Sequence, residues 1–96
     1  MADLVITSAA EEDFAEALRW YTERSERAAE GFEAEFERAL ESIGADPLRF
    51  PYCDDRHRYF LMQRYPYQVI YREHQEQLFI IAVAHAKRKP GYWSKR

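Results

Sequence analysis

The sequence predicts an α+β domain of order β-α-α-β-β-β, a helical hairpin packed on a small, mostly antiparallel sheet. Two stretches in the N-terminal half repeat apolar residues at three- and four-residue steps, the spacing of a one-sided helix. The β-rich stretches of the C-terminal half are joined by connections too short for parallel crossovers, so they form a meander. The last of them, Leu78 to His85, is apolar without alternation, as expected of a central strand buried on both faces.

Asp3 to Thr7 is a β-branched run that reads as the first strand. Ser8, with Glu11 three residues on, forms a capping box that starts the first helix. Ala10, Phe14, Ala17, Leu18 and Tyr21 line its apolar face, with Glu12, Asp13, Glu16 and Arg19 outside it; Glu11, Glu12 and Asp13 suit the positive end of the helix dipole. Glu23 to Ala28 lacks large apolar residues and reads as the connection. Ala29, Phe32, Phe36, Ala39, Leu40 and Ile43 then mark a second helix that Gly44 and Pro47 stop. Asp46 to Asp55 is an irregular loop. Strands resume at Arg56 to Gln63, with Arg56, Arg58, Phe60 and Met62 on one face, and at Tyr67 to Arg72. A polar turn at Glu73 to Glu76 leads into the last strand, which needs two neighbours, so the first strand is expected beside it.

At 96 residues the chain is a single domain, 1–96, and 47% hydrophobic with 16% aromatic residues is enough for a core without disulfides or a structural metal. The lone Cys53 excludes an intramolecular disulfide and fits a reducing compartment. The N-terminus has no basic signal-like region and no window approaches the ~18 apolar residues of a membrane span. A soluble, cytoplasmic protein without a membrane partner is expected. The net charge of −3 is unevenly spread: residues 1–47 carry 13 acidic and 4 basic residues, residues 48–96 carry 4 acidic and 10 basic. One surface thus repels polyanions while another suits one, or suits an acidic protein segment.

No Gly-rich phosphate loop, Cys/His metal spacing or Ser-centred nucleophile motif is present, so neither cofactor nor metal is expected. Glu30, Glu33, Glu37 and Glu41 read as a solvated helix face. The candidate site is a basic, aromatic cluster: Arg56, Arg58 and Arg64 around the second strand, and His85, Lys87, Arg88, Lys89, Tyr92 and Trp93 after the last. These converge if the start of the second strand and the end of the fourth fall at the same side of the sheet. Such a set suits RNA, with cations on phosphates and aromatic rings on unpaired bases. His85 is the proton-transfer candidate, because imidazole is the side chain that exchanges protons in the physiological range; Arg88 would stabilise a phosphorane, and Tyr92 would stack or donate a proton. Each has a structural alternative. His85 can be a hydrogen-bonded strand end, Tyr92 and Trp93 can close the core, and Arg88 can pair with a helix carboxylate.

The β-α-α-β-β-β order, Trp20-Tyr21, the loop Pro47-Leu48-Arg49-Phe50-Pro51, the segment Tyr65-Pro66-Tyr67-Gln68-Val69-Ile70-Tyr71 and the closing His85-Ala86-Lys87-Arg88-Lys89-Pro90-Gly91-Tyr92-Trp93, followed by Arg96, together resemble the RelE/ParE superfamily of bacterial toxins. The resemblance implies the toxin half of a type II toxin–antitoxin pair, neutralised by an antitoxin whose segment wraps it, with a heterotetramer as one assembly. RelE-like members cut mRNA in the ribosomal A site through C-terminal Arg, Tyr or His side chains; ParE-like members poison DNA gyrase without a nuclease site. Arg88 matches the RelE-like arginine and Tyr92 its tyrosine, so the resemblance favours ribosome-dependent cleavage through His85, Arg88 and Tyr92, with Arg56, Arg58, Arg64, Lys87, Lys89 and Trp93 as nucleic-acid contacts. Gyrase inhibition and a non-toxic antitoxin-binding module are the alternatives. RelE-like nucleases are usually strongly basic, with lysines over the middle strands; here those positions hold arginines or neutral residues, and the chain is net acidic.

Overall fold

The computed structural model describes residues 3–96, so Met1 and Ala2 of the expected domain lie outside the described residues. The elements are β1 (Leu4–Ile6), α1 (Ser8–Arg24), α2 (Glu26–Ala45), β2 (Arg58–Leu61), β3 (Tyr67–His74) and β4 (Gln77–His85). They form one mixed sheet of order β1-β4-β3-β2, in which β1 runs parallel to β4 and the other pairings are antiparallel. The expected order and the place of the first strand beside the last are both found.

Local boundaries differ from the sequence reading in ways the chemistry explains. Thr7, not Ser8, caps α1: its hydroxyl accepts from the Ala10 N–H at 3.2 Å while donating to the Ile80 carbonyl at 2.9 Å. One side chain thereby ends β1, starts α1 and ties both to β4. The connection expected over Glu23 to Ala28 shrinks to Ser25. That residue is extended (φ −167°, ψ 116°), ends α1 through its N–H on the Tyr21 carbonyl, and caps α2 through its hydroxyl on the Ala28 N–H. Between β3 and β4 only Gln75 and Glu76 remain outside the ladder, both at positive φ (51° and 65°), the conformation a tight two-residue hairpin turn demands.

The two helices cover one face of the sheet. Phe14, Tyr21, Phe32 and Phe36 interlock with Tyr65 and Tyr67 over Val69, Tyr71, Leu78, Ile80 and Val83. At roughly 1.5–3 kcal/mol for each large side chain fully buried, this layer dominates the stabilisation. Ile70, Ile81, Ala82 and Ala84 form the core of the opposite face, closed by Trp93 with Tyr59, Phe79 and Tyr92 packed around it. Gly91, at φ 82°, supplies the turn that sends Tyr92 and Trp93 back to the sheet.

β4 carries a bulge. Ile70 pairs with Ala82 but its neighbour Tyr71 pairs with Ile80, so Ile81 is the extra residue. Leu78 and Ile80 face the helices before it; after it the phase inverts and Val83 faces them, with Ala84 on the other side. His85 follows Val83 by two residues and its ring stands edge-on against Tyr67, 5.0 Å between centroids.

Candidate functional site

β1 ends after Ile6, leaving the upper edge of β4 without a strand partner. Side chains replace it. The Val83 N–H donates to Oδ2 of Asp13 at 3.1 Å, the Ile81 carbonyl accepts from Arg96 at 3.1 Å, and the Val83 carbonyl accepts from the Tyr92 hydroxyl at 3.4 Å. Asp13 joins these groups. Its carboxylate is buried, takes the Arg96 guanidinium at 2.8 Å and the Tyr92 hydroxyl at 3.1 Å, and lies 4.0 Å from Arg88. The Arg88 and Arg96 guanidinium groups sit 3.8 and 4.9 Å from the centre of the Tyr92 ring. Burial, then the Asp13 charge and hydrogen bond, push the Tyr92 hydroxyl from 10.0 up to about 12 against the opposing pull of the two arginines. Tyr92 is therefore held protonated with its proton committed to Asp13.

The sequence reading set Asp13 outside the apolar face of α1, and the structure corrects this. Asp13 stands three residues after Ala10 and four before Ala17, both buried, so it shares their face. An acid set between two small buried residues at helical spacing is the signal that would have found it.

An open cleft of about 490 Å³ lies beside this clamp, lined by Asp13, Glu16, Trp20, Tyr67, His85, Lys87 and Arg88 among others. Trp20 is half exposed there, with Arg24 stacked on its ring at 3.8 Å. Nδ1 of His85 accepts from the Lys87 N–H at 3.0 Å, which fixes the neutral ring as the Nε2–H tautomer. His85 thus offers a donor as its remaining ring group.

The predicted site residues do not all converge. β2 and β4 both run antiparallel to β3, so the start of β2 lies with the start of β4, at the opposite end from His85. Arg56 and Arg58 line a separate cleft of about 120 Å³ with Arg72, Tyr52, Leu48, Tyr71 and Glu73. Arg58 is held there by the carbonyls of Phe50 (2.6 Å) and Leu48 (3.2 Å) and lies 4.0 Å from the Tyr52 ring centre. Arg64 is exposed in the β2–β3 connection, at the His85 end, and Lys89 is exposed beyond Arg88. Trp93 is buried and donates its indole N–H to Asp54 at 3.3 Å, so its ring closes the core.

Asp54 also accepts from the Arg56 and His57 N–H groups at 2.8 and 2.7 Å and contacts Nδ1 of His57 at 2.9 Å. Burial opposes its ionisation, but those hydrogen bonds and His57 together hold its carboxyl below the usual range. Burial and Asp54 push the neighbouring Cys53 thiol up, the reverse of what a nucleophile needs. Among the described residues no group of three or more His, Cys, Asp or Glu side chains is placed to hold a metal ion, and no helix is long and apolar enough to cross a membrane.

A helical hairpin on one face of a four-stranded mixed sheet, with a basic and aromatic C-terminal segment folded back on the central strand, is the architecture of the small α+β toxins. The chain belongs to the family of ParE toxins of type II toxin–antitoxin systems, whose model matches residues 4–90. It is similar in fold to a protein of a chromosomal ParDE toxin–antitoxin system from P. aeruginosa, at TM-score 0.79 and 15% identity over 91% of this chain and 98% of that one. No curated protein sequence matches it.

Proposed function

We propose that this toxin arrests growth by binding a protein target, DNA gyrase, rather than by cutting mRNA, and that an antitoxin chain neutralises it in the cytoplasm. The observation that supports this reading is the Asp13 clamp. The group that matches the RelE-like tyrosine donates to this buried carboxylate, its hydroxyl pushed up to about 12, and the one that matches the arginine lies 4.0 Å from the same carboxylate. A general acid needs a transferable proton and a phosphorane needs an unneutralised cation; Asp13 opposes both. The membership in the ParE family points the same way.

The test is plasmid supercoiling by purified gyrase with the toxin added, run beside primer extension on mRNA in a cell-free translation reaction. Inhibited supercoiling with intact mRNA is expected. Cuts that require ribosomes would overturn the reading in favour of cleavage, which the shared cleft of His85, Lys87 and Arg88 supports. In that event Arg88→Ala and Tyr92→Phe should abolish the cuts while antitoxin binding persists. Unchanged growth on expression without antitoxin would leave only a binding module.

A further inference from the structure

Among the described residues, two buried side-chain atoms have no hydrogen-bond partner within the protein, Nε2 of His57 and Nε of Arg72. A protein interior rarely leaves such groups unsatisfied. The sheet register brings the two residues together. Arg58 pairs with Tyr71, which belongs to the core under the helices, so the next residue on each chain, His57 and Arg72, turns to the opposite face. Arg72 pairs there with Phe79, and His57 shares Asp54 with Trp93; Phe79 and Trp93 both belong to the opposite-face core.

The two atoms are chemically complementary. Both Asp54 oxygens lie 2.9 Å from Nδ1 of His57, and that carboxylate already accepts from the Arg56 and His57 N–H groups and the Trp93 indole. An ionised carboxylate only accepts, so Nδ1 carries the ring proton and Nε2 of the neutral ring is an acceptor. Arg72 Nε–H only donates, and it does not reach Nε2 directly. The group that joins them must accept from Arg72 and donate to His57. An anion without a proton has nothing to donate, and a metal cation is repelled by the guanidinium. His57 is 1% exposed, so a side chain from another molecule has no path to its ring. Water meets every condition.

We infer that one internal water bridges His57 and Arg72, accepting from Arg72 Nε–H and donating to His57 Nε2. A continuous polar chain then runs from Trp93 through Asp54, His57 and the water to Arg72 on β3. The bridge fastens the loop before β2, and through it Trp93 of the C-terminal segment, to the middle of the sheet. It holds whether the target is gyrase or mRNA.

The experiment is nuclear magnetic resonance on the nitrogen-labelled full chain. The histidine ring spectrum should show His57 protonated at Nδ1 and bare at Nε2. Cross-relaxation from water should reach the Arg72 Nε–H with opposite signs in the laboratory and rotating frames, the mark of a held water rather than of proton exchange. In His57→Phe, which keeps a ring but removes the acceptor, that cross-peak should vanish. A proton on Nε2, a scalar coupling that joins Arg72 Nε–H directly to Nε2, the lack of a water contact at Arg72, or a cross-peak that survives in His57→Phe would each overturn the assignment. The ring and water readouts are made on the unaltered chain, so they decide the matter even if the variant fails to fold.

Discussion

At one end of the sheet a buried Asp13 meets Arg96 at 2.8 Å and Arg88 at 4.0 Å; at the other, Arg56, Arg58, Arg72 and Glu73 line a cleft, and among the described residues none of those three guanidinium groups has a carboxylate within 4.0 Å. The sequence presents both groups as the same feature, cations beside aromatic residues. The difference lies in what each cluster is for. Arg96 substitutes for a missing strand, and its charge is cancelled by the helix that it fastens. At the other end Arg58 is held by the Leu48 and Phe50 carbonyls, which orient its guanidinium without spending its charge. A cation that is neutralised within the fold stabilises it, and one that is not is available to a partner.

The sharpest way to break this comparison is Asp13→Ala. Removing one partner from a buried ion pair leaves Arg96, the Val83 N–H and the Tyr92 hydroxyl without their acceptor, and the expected loss is about 3–5 kcal/mol in urea denaturation. A loss below about 1 kcal/mol would mean that the clamp is not what holds the C-terminal segment. Next in size is an alkaline transition. The Tyr92 and Tyr71 hydroxyls are both pushed up to about 12, by burial first, so their contribution is fully present below pH 10.0 and is lost as pH rises through 12. Melting temperature followed across that interval should fall steeply; Tyr92→Phe should reduce the fall and leave the part due to Tyr71 at the arginine end.

A smaller effect, of opposite sign, is expected at the hairpin beside the arginine cleft. Replacing Gln75-Glu76 by Asn-Gly puts residues suited to positive φ where the turn requires it, and should stabilise by about 1 kcal/mol, read as a higher urea midpoint with an unchanged slope. The smallest is Arg56→Gln, which removes no ion pair, so stability should move by no more than about 0.5 kcal/mol. If Arg56→Gln cost as much as Asp13→Ala, the distinction between the two ends would collapse.

The fold was readable because its signals are local: helical spacing in α1 and α2, the unbroken apolar run of β4, and short connections that force antiparallel pairing. The site was readable only in part. Asp13 looked like one of several acids at a helix N-terminus, and the groups it binds lie 70 to 83 residues away in sequence. Ser25 carried no sign that a single residue would serve two helices, since its neighbours Arg24 and Glu26 suit a loop as well as a helix end. The expected convergence of Arg56 and Arg58 with His85 failed on strand direction, which follows from counting antiparallel steps across the meander. The register inversion in β4 left no trace, because Ile81 and Ala82 are both apolar and an unalternating run hides its own phase.

That extra residue makes β4 two half-strands of opposite phase. Before Ile81 even-numbered residues belong to the helices; after it odd-numbered ones do. Drawing Ile81 into the ladder opposite Ile70 would therefore do more than remove the bulge: it would exchange inside for outside over everything that follows, turning Val83 toward the C-terminal segment, bringing Ala84 under the helices and carrying His85 away from Tyr67, whereas deleting Ile81 would leave every later pairing and its face in place. A one-residue miscount is what places this histidine beside the larger cleft.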